Sequence, residues 1–432
     1  MKIYRAQTGP RLANWSVLVL LGVAACSGED GAVVSDSEWL GSVSTEGAVT
    51  TVVNESGQVW TAPSLIEELS IGTIDGDDAY VFADIRALAL DAGQIYVLDR
   101  AAAVVRVYGR DGRHRFDVGG PGEGPGEFRA PTAIGLGDDG RLFVRDTAQQ
   151  RMNEFSIDDG QLVRDWRVGG AGQAVWQRDG TVWVYTRVEE RTATGMVNWS
   201  MLHQSPAGSG DHVLLPATPD PAFVSEDRRG LEIAVVQGRS RGMQGVHLIP
   251  FSPQRTWTFS VAGELVLGEG HEYAFWRRSL DGTEIQVRRD IPPVALEDDE
   301  ADWYRDRLIA FWREVRQDFV WEAELPMVKR SYARVTLDDL GRVWVLRELA
   351  GERVEECDSD PEDLNGYLNR PCWRQPFVYD VFGEDGRFLG ALDVPADWRT
   401  DTPIHVRGDV VLAVTEDVSG AIRLKLYRLV TG

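Results

Sequence analysis

The chain has 432 residues, 43% of them hydrophobic, with 68 acidic against 45 basic side chains and a formal net charge of −23. That length is enough to bury a sizeable core, and closed all-β folds of this size grow by repetition rather than by adding domains. A surface this acidic repels phosphate backbones, which argues against a nucleic-acid partner and mainly favours solubility.

Residues 1–25 read as a processing segment. Lys2, Arg5 and Arg11 give a positive start, and Val17 to Leu21 form an apolar run. That run is well short of the roughly 20 residues that cross a bilayer as a helix. Val23-Ala24-Ala25-Cys26 then sets small residues directly before a cysteine. The segment resembles a bacterial lipoprotein signal, with Val23 to Cys26 matching the lipobox. The resemblance implies cleavage before Cys26, diacylation of its thiol and, because Ser27 follows, carriage to the outer membrane of a Gram-negative bacterium, facing the periplasm or the surface. Membrane contact is then expected through the N-terminal lipid alone. Residues 26–50 are rich in Gly, Ser, Val and acidic residues with little periodicity, and read as a flexible tether. The folded domain is expected over 51–432.

The strongest internal signal is a repeat of a turn glycine, one further residue and an apolar or aromatic run. Its six copies begin at Gly93, Gly140, Gly180, Gly263, Gly341 and Gly408. Acidic residues stand just before the glycine in several copies, a tight-turn signal because glycine accepts positive φ. The β-branched and aromatic residues that follow suit a buried strand. Apolar strands lie upstream of the clearest copies (Ile85 to Leu90, Pro131 to Leu136, Tyr332 to Leu337), and further strands and turns lie downstream. The first two intervals match a four-stranded propeller blade of about 40–50 residues. Later intervals are longer and require insertions. Stacking blades radially covers their faces, and closing the ring removes the unpaired end. The pattern therefore predicts an all-β fold: a six-bladed β-propeller of four-stranded antiparallel blades with one inserted helix. A strand around Leu69 to Ile74 is expected to share a sheet with Ile422 to Leu429.

Residues 119–155 carry a more specific pattern. Gly120, Gly122, Gly124 and Gly126 lie in a glycine-rich entry ending at Phe128 and Pro131, followed by Asp146, Gln149, Arg151, Met152 and Phe155. This stretch resembles an NHL-type repeat, with Gln149 and Met152 in place of Asn and Ile. In the preceding unit Asp99, Val105 and Tyr108 keep the pattern, while Ala102 and Val104 depart from it. The whole chain resembles bacterial six-bladed propellers related to NHL and TolB-like proteins, many of them lipoproteins, a functionally diverse group. The glycines lack the helix that phosphate binding would require and read as a blade-to-blade connection. Asp99 and Asp146 read as structural carboxylates that accept backbone N–H bonds at turns.

Three insertions interrupt the repeat. Phe223 to Met243 holds Arg228, Arg229, Arg239 and Arg241, a basic cluster and candidate binding loop on a rigid scaffold. Residues 297–316 predict a helix, with acid at its N-terminus suiting the dipole and Tyr304, Leu308, Phe311, Trp312 and Val315 forming an apolar stripe for docking. Cys357 and Cys372 flank an acidic excursion, and in an exported protein they can pair and close the loop over 357–372. The closure is worth about 3 kcal/mol in the chain-entropy model.

No nucleophile elbow, zinc-protease or haem signature is present, and no two of the six histidines form a close ligand pair. The favoured reading is a non-catalytic binding or scaffold propeller of the cell envelope, presenting one face to a protein, peptide or glycan, with no cofactor. The alternative is a metal-dependent propeller hydrolase or lyase, lactonase-like, with calcium in the central channel. It would need oxygen ligands converging from several blades. The blade entries offer only Asp84, Arg86, Thr132 and Arg334.

Overall fold

The structure, a computed structural model, describes residues 39–432 except 138–139, 169–173, 177–180, 188–195, 198, 206, 215–217, 220–229, 238–239, 261–262, 280, 316–319, 322–323 and 358–370. Six four-stranded antiparallel units follow one another around a ring, each running from an inner to an outer strand. Blade 1 is Ile85–Leu90, Gln94–Asp99, Val104–Gly109 and His114–Val118. Blade 2 is Pro131–Gly137, Arg141–Asp146, Arg151–Ser156 and Leu162–Arg167. Blade 3 is Ala174–Trp176, Val182–Arg187, Trp199–Ser205 and Gly208–Leu214. Blade 4 is Thr256–Phe259, Leu265–Gly268, Ala274–Arg278 and Glu284–Arg289. Blade 5 is Arg334–Leu337, Val343–Glu348, Phe377–Phe382 and Phe388–Asp393. Blade 6 is His405–Arg407, Val410–Glu416 and Ile422–Val430, completed by Ser64–Ile71.

Each glycine signal of the sequence starts the second strand of a blade. Those strands are covered on both faces by neighbouring blades, which is why they read as unbroken apolar runs. Ile95, Tyr96, Val97 and Leu98 of blade 1 are fully buried. The turns are built in two ways. Gly140 and Gly341 take positive φ, 66° and 72°, where a Cβ would clash with the backbone. At Gly93 the turn is held instead by Asp91, whose Oδ1 accepts the N–H groups of Gly93 and Gln94, both at 2.7 Å. Apolar clusters fill the seams, blade 6 against blade 1, 1 against 2, 2 against 3, 4 against 5 and 5 against 6.

The ring is closed by a strand that precedes blade 1 and one that follows blade 5. Ser64–Ile71 pairs antiparallel with Ile422–Val430. Upstream lies a hairpin, Leu40–Glu46 and Val49–Ser56, whose second strand pairs in parallel with the outer strand of blade 4. The sequence reading placed residues 40–50 in the flexible tether. They form a strand, a turn at Gly47 and Ala48 and the start of a second strand instead, because the edge of blade 4 supplies backbone partners that local sequence does not reveal. Between hairpin and closing strand the chain runs along blade 5. The Trp60 N–H donates to the Leu389 carbonyl at 2.7 Å, and the Thr61 N–H to the Thr431 carbonyl at 2.9 Å. One N-terminal segment thus straps blades 4, 5 and 6.

Chain direction gives the ring two unlike faces. First and third strands of every blade begin on one face, and second and fourth strands end there. The turns of the other face are short. All the large insertions leave from the first face: the hairpin Gly230–Gln237/Ser240–Leu248 between blades 3 and 4, helix α1 (Asp298–Val315) between blades 4 and 5, and the arm at 349–376 inside blade 5. Cys357 and Cys372 form a disulfide in that arm.

Helix α1 docks differently from the expected stripe. Phe311 is 44% exposed, whereas Trp303 is buried against Cys372 and Glu300 is fully buried. Lys329 Nζ meets Glu300 Oε1 at 2.6 Å and also donates to Gln375 Oε1 at 2.6 Å and the Leu349 carbonyl at 3.2 Å. A buried ion pair therefore anchors the first turn, and the dipole is a lesser consideration there.

Candidate functional site

The sequence-selected carboxylates of blades 1 and 2 hold backbone. Asp99 accepts the N–H groups of Ala83, Asp84, Ala101 and Ala102 and the Arg106 guanidinium. Asp146 accepts those of Arg129, Ala130 and Gln149. Gln149 Nε2 donates to the carbonyls of Gly122 and Glu127, and Arg151 to that of Gly124. The loop containing Gly120, Gly122, Gly124 and Gly126 is thus a clamped connection between blades, with Gly126 at φ 77°. These residues are spent on structure.

At the mouth of the central channel, on the face that carries the insertions, Asp84 pairs with Arg86 at 3.0 Å and Arg100 at 2.8 Å. Arg399 grips Asp401 at 2.7 Å, and Arg334 donates to the Asp401 carbonyl at 3.3 Å. The Arg399 hydrogen bond holds the Asp401 carboxyl below the usual carboxylate range. Thr132 lies on the inner strand of blade 2. Of the four residues singled out at the blade entries, Asp84 and Arg86 thus pair with each other and Arg334 holds the Asp401 backbone, while guanidiniums hold both carboxylates. Among the described residues no group of three or more His, Cys, Asp or Glu is placed to hold a metal. This donor set does not fit a calcium centre.

A second location on the same face is chemically unlike the mouth. Where blade 4 meets blade 5, a cavity of about 530 Å³ is lined by Arg288, Arg289, Arg330 and Arg347, with Val53 and Ile291 among its apolar walls. Arg288 and Arg289 end the outer strand of blade 4. Arg347 lies near the end of the second strand of blade 5, and Arg330 in the approach to that blade. Behind them lies Asp380, fully buried on the third strand of blade 5. Its Oδ2 accepts from Tyr273 Oη at 2.6 Å and Arg347 Nε at 2.9 Å, and also pairs with Arg289. Burial, reinforced by Asp380, pushes the Tyr273 hydroxyl well above its usual range, so it stays a donor. Burial lowers the Arg347 guanidinium, but Asp380, together with Tyr273, outweighs that and leaves it raised. The Arg289 guanidinium lies 3.7 Å from the centroid of the Phe388 ring, which fixes its plane. Arg330 Nε donates to the buried Glu348 at 2.9 Å.

Two guanidiniums that share one carboxylate leave one positive charge without a buried counter-charge. Such a charge is costly in a partly desolvated place. Sequence reading passed over this constellation because its members come from two blades and their residue types are abundant. The doublet Arg288-Arg289 before Pro292-Pro293 is the one local hint.

The other sequence candidates fall elsewhere. Arg228, Arg229 and Arg239 lie outside the described residues, as does Cys26; Arg241 is on the strand Ser240–Leu248, opposite Val236.

Comparison with known proteins bears on the fold. No curated protein sequence matches the chain. A member of the DUF4221 family from Bacteroides vulgatus is similar in structure, at 9% identity and a TM-score of 0.50, over 86% of this chain and 99% of that one. A calcium-binding protein, regucalcin, from Agrobacterium tumefaciens aligns at 11% identity and 0.36, over 82% and 93%. Virginiamycin B lyase from Staphylococcus aureus aligns at 8% and 0.35, over 84% and 99%. Residues 50–224 match the model of the DUF5128 family, described as a 6-bladed beta-propeller, and with six blades traced from Ile85 to Val430 this chain is a six-bladed β-propeller.

Proposed function

We propose that the protein is a non-catalytic binding propeller of the cell envelope, held to a membrane by lipid on Cys26, with its recognition surface on the face that carries the insertions. The observation that carries this reading is the one-sidedness of the ring. The hairpin, helix and disulfide arm all emerge from the face that also holds the arginine-lined cavity, while the other face is finished by tight turns. Loops on a rigid scaffold are where binding residues concentrate. The strand that holds Arg241 belongs to a connection of that same face and extends the proposed surface, and Arg228, Arg229 and Arg239 are proposed to act with it. The lipobox-like Val23 to Cys26, and the likeness of residues 119–155 to the NHL and TolB-like propellers, support the envelope setting. The partner is an envelope protein, peptide or glycan.

Capture from envelope extract tests the reading. Replacing Arg288 and Arg347 on the insertion face should reduce recovery of the bound component at least tenfold. Charge reversals in turns of the opposite face, such as Asp281→Lys and Glu384→Lys, should leave it unchanged. Equal loss from both sets would overturn the assignment. Fatty-acid labelling that is unaffected by Cys26→Ser would remove the lipid anchor.

A further inference from the structure

The cavity between blades 4 and 5 has a sign, a depth and a wall chemistry that narrow its ligand. The protein carries a large negative charge, yet four arginines gather here. Their exposure is graded. Arg289, Arg347 and Arg330 retain 14%, 17% and 18% of side-chain exposure, whereas the acidic Glu272 of the rim retains 70% and is paired with Arg288 at 3.2 Å. Asp290, the other acidic residue of the lining, is also exposed. Solvent and salt screen the rim acids far more than the deeper guanidiniums.

The deeper set is also pre-organised. Asp380 pins Arg289 and Arg347 from behind, Phe388 fixes the plane of Arg289, and Glu348 holds Arg330. A guanidinium has five N–H donors in a fixed fork. Arg347 commits its Nε to Asp380, which leaves most of its fork for an incoming oxyanion. Planar forks of this kind match a carboxylate with two parallel hydrogen bonds. Within the deeper set the charge arithmetic points to a monoanion: Arg330 is neutralised by Glu348, while Arg289 and Arg347 share Asp380 and are one charge in excess, and the acid that would offset it, Asp290, lies exposed at the rim. The apolar wall of Val53 and Ile291 suits a hydrocarbon body beside the charged group.

We propose that this cavity binds a small molecule bearing a single carboxylate on an apolar body, its oxygens received by Arg347 and Arg289. The proposal rests on the reading of this face as the recognition surface and specifies the ligand class.

Calorimetric titration of the full chain with benzoate tests it, with benzamide as the neutral isostere and inorganic phosphate as an oxyanion without an apolar body. Benzoate should bind saturably at one site. Benzamide and phosphate should bind at least tenfold more weakly. Arg347→Ala should weaken benzoate at least tenfold; Arg347→Lys keeps a cation beside Asp380 but loses the fork, and should also weaken it severalfold. Should the alanine variant fail to fold, the lysine variant gives the answer. Benzamide or phosphate binding as well as benzoate, or benzoate binding indifferent to both variants, would overturn the proposal. The same variants in the envelope capture separate the two claims. Capture that needs Arg347, without any benzoate binding, removes the ligand class alone. Capture indifferent to Arg347 removes this cavity from the recognition surface, while benzoate binding that needs Arg347 keeps the ligand class.

Discussion

Asn54 donates from Nδ2 to the carbonyl of Gly386 at 3.1 Å, across 332 positions of chain. It also donates to the Arg288 carbonyl at 3.0 Å, and its Oδ1 accepts from the Phe388 N–H and from Trp39 Nε1, both at 2.7 Å. One buried amide thus joins the N-terminal hairpin, the outer strand of blade 4 and the last turn of blade 5, with its donors and acceptor fully used. Replacing it with Leu leaves the two N–H groups and two carbonyls without that partner. Each such buried group costs about 1–3 kcal/mol, and partial relaxation should bring the total loss to about 2–4 kcal/mol in denaturant melts. Asn54→Asp should be as damaging at neutral pH, since a carboxylate cannot donate to the carbonyls of Gly386 and Arg288.

Gly386 itself has φ 82°, and a Cβ there would lie 2.8 Å from Val287 Cγ2 and 3.3 Å from Val52 Cγ2. Both the left-handed backbone and the crowded seam oppose a side chain. Gly386→Ala should cost about 2–4 kcal/mol, combining roughly 1–2 for the conformation with overpacking. A melt within about 0.5 kcal/mol of the parent, the scatter of neutral surface changes, would show that the seam can yield.

The Lys329–Glu300 pair should behave as a buried couple. Burial raises the Glu300 carboxyl despite its lysine partner, so desolvation is already felt. Lys329→Met or Glu300→Leu alone should destabilise by about 3–5 kcal/mol. The double change to apolar residues, Glu300→Leu with Lys329→Met, should recover most of that loss. A double-mutant cycle in urea measures the coupling, and additive losses would refute it. The lysine variant alone should be less penalised in mild acid, where the stranded carboxyl can take up a proton.

His405, on the inner strand of blade 6, supplies an acid-sensitive contribution. Burial pushes its imidazole down from 6.5 to about 4, against the upward pull of Asp339. Between those values the unfolded chain binds the proton and the folded chain does not. Stability is therefore fully present above about pH 6.5, falls as pH drops through the window and levels off below about 4. Because the residue keeps some contact with solvent, about 1–2 kcal/mol is the expected size, less than the full shift would give. His405→Gln should flatten the slope of stability against pH between 4 and 6.5.

The blades were legible in the sequence because each carries its own local signal: a turn made by Gly or Asp, then a strand buried on both faces. Tertiary packing agrees with that signal in all six. The hairpin at 40–56 was not legible. Its outer strand is exposed throughout, with no alternation to mark a buried face, and its partner Glu284–Arg289 is far away in sequence. Helix α1 was visible as a helix, but its anchoring residue was hidden, since a fully buried glutamate looks like any other acid until Lys329 is placed beside it. The cavity arginines were illegible for a related reason. What distinguishes Arg289 and Arg347 is a carboxylate they share across a blade seam, and no spacing along the chain encodes that.

The closing of blade 6 has a consequence for biogenesis. Ser64–Ile71 leaves the ribosome before blade 1, yet its partner strand is Ile422–Val430, made after all of the first five blades. The hairpin must likewise wait for blade 4. The Ser64–Ile71 segment therefore stays unpaired while those blades are made, and contacts of such long range are slow to form. Translation that stops just short of Ile422 would yield five whole blades, the inner two strands of the sixth with an exposed sheet edge, and an orphaned Ser64–Ile71, a substrate for quality-control proteases rather than a shortened working molecule.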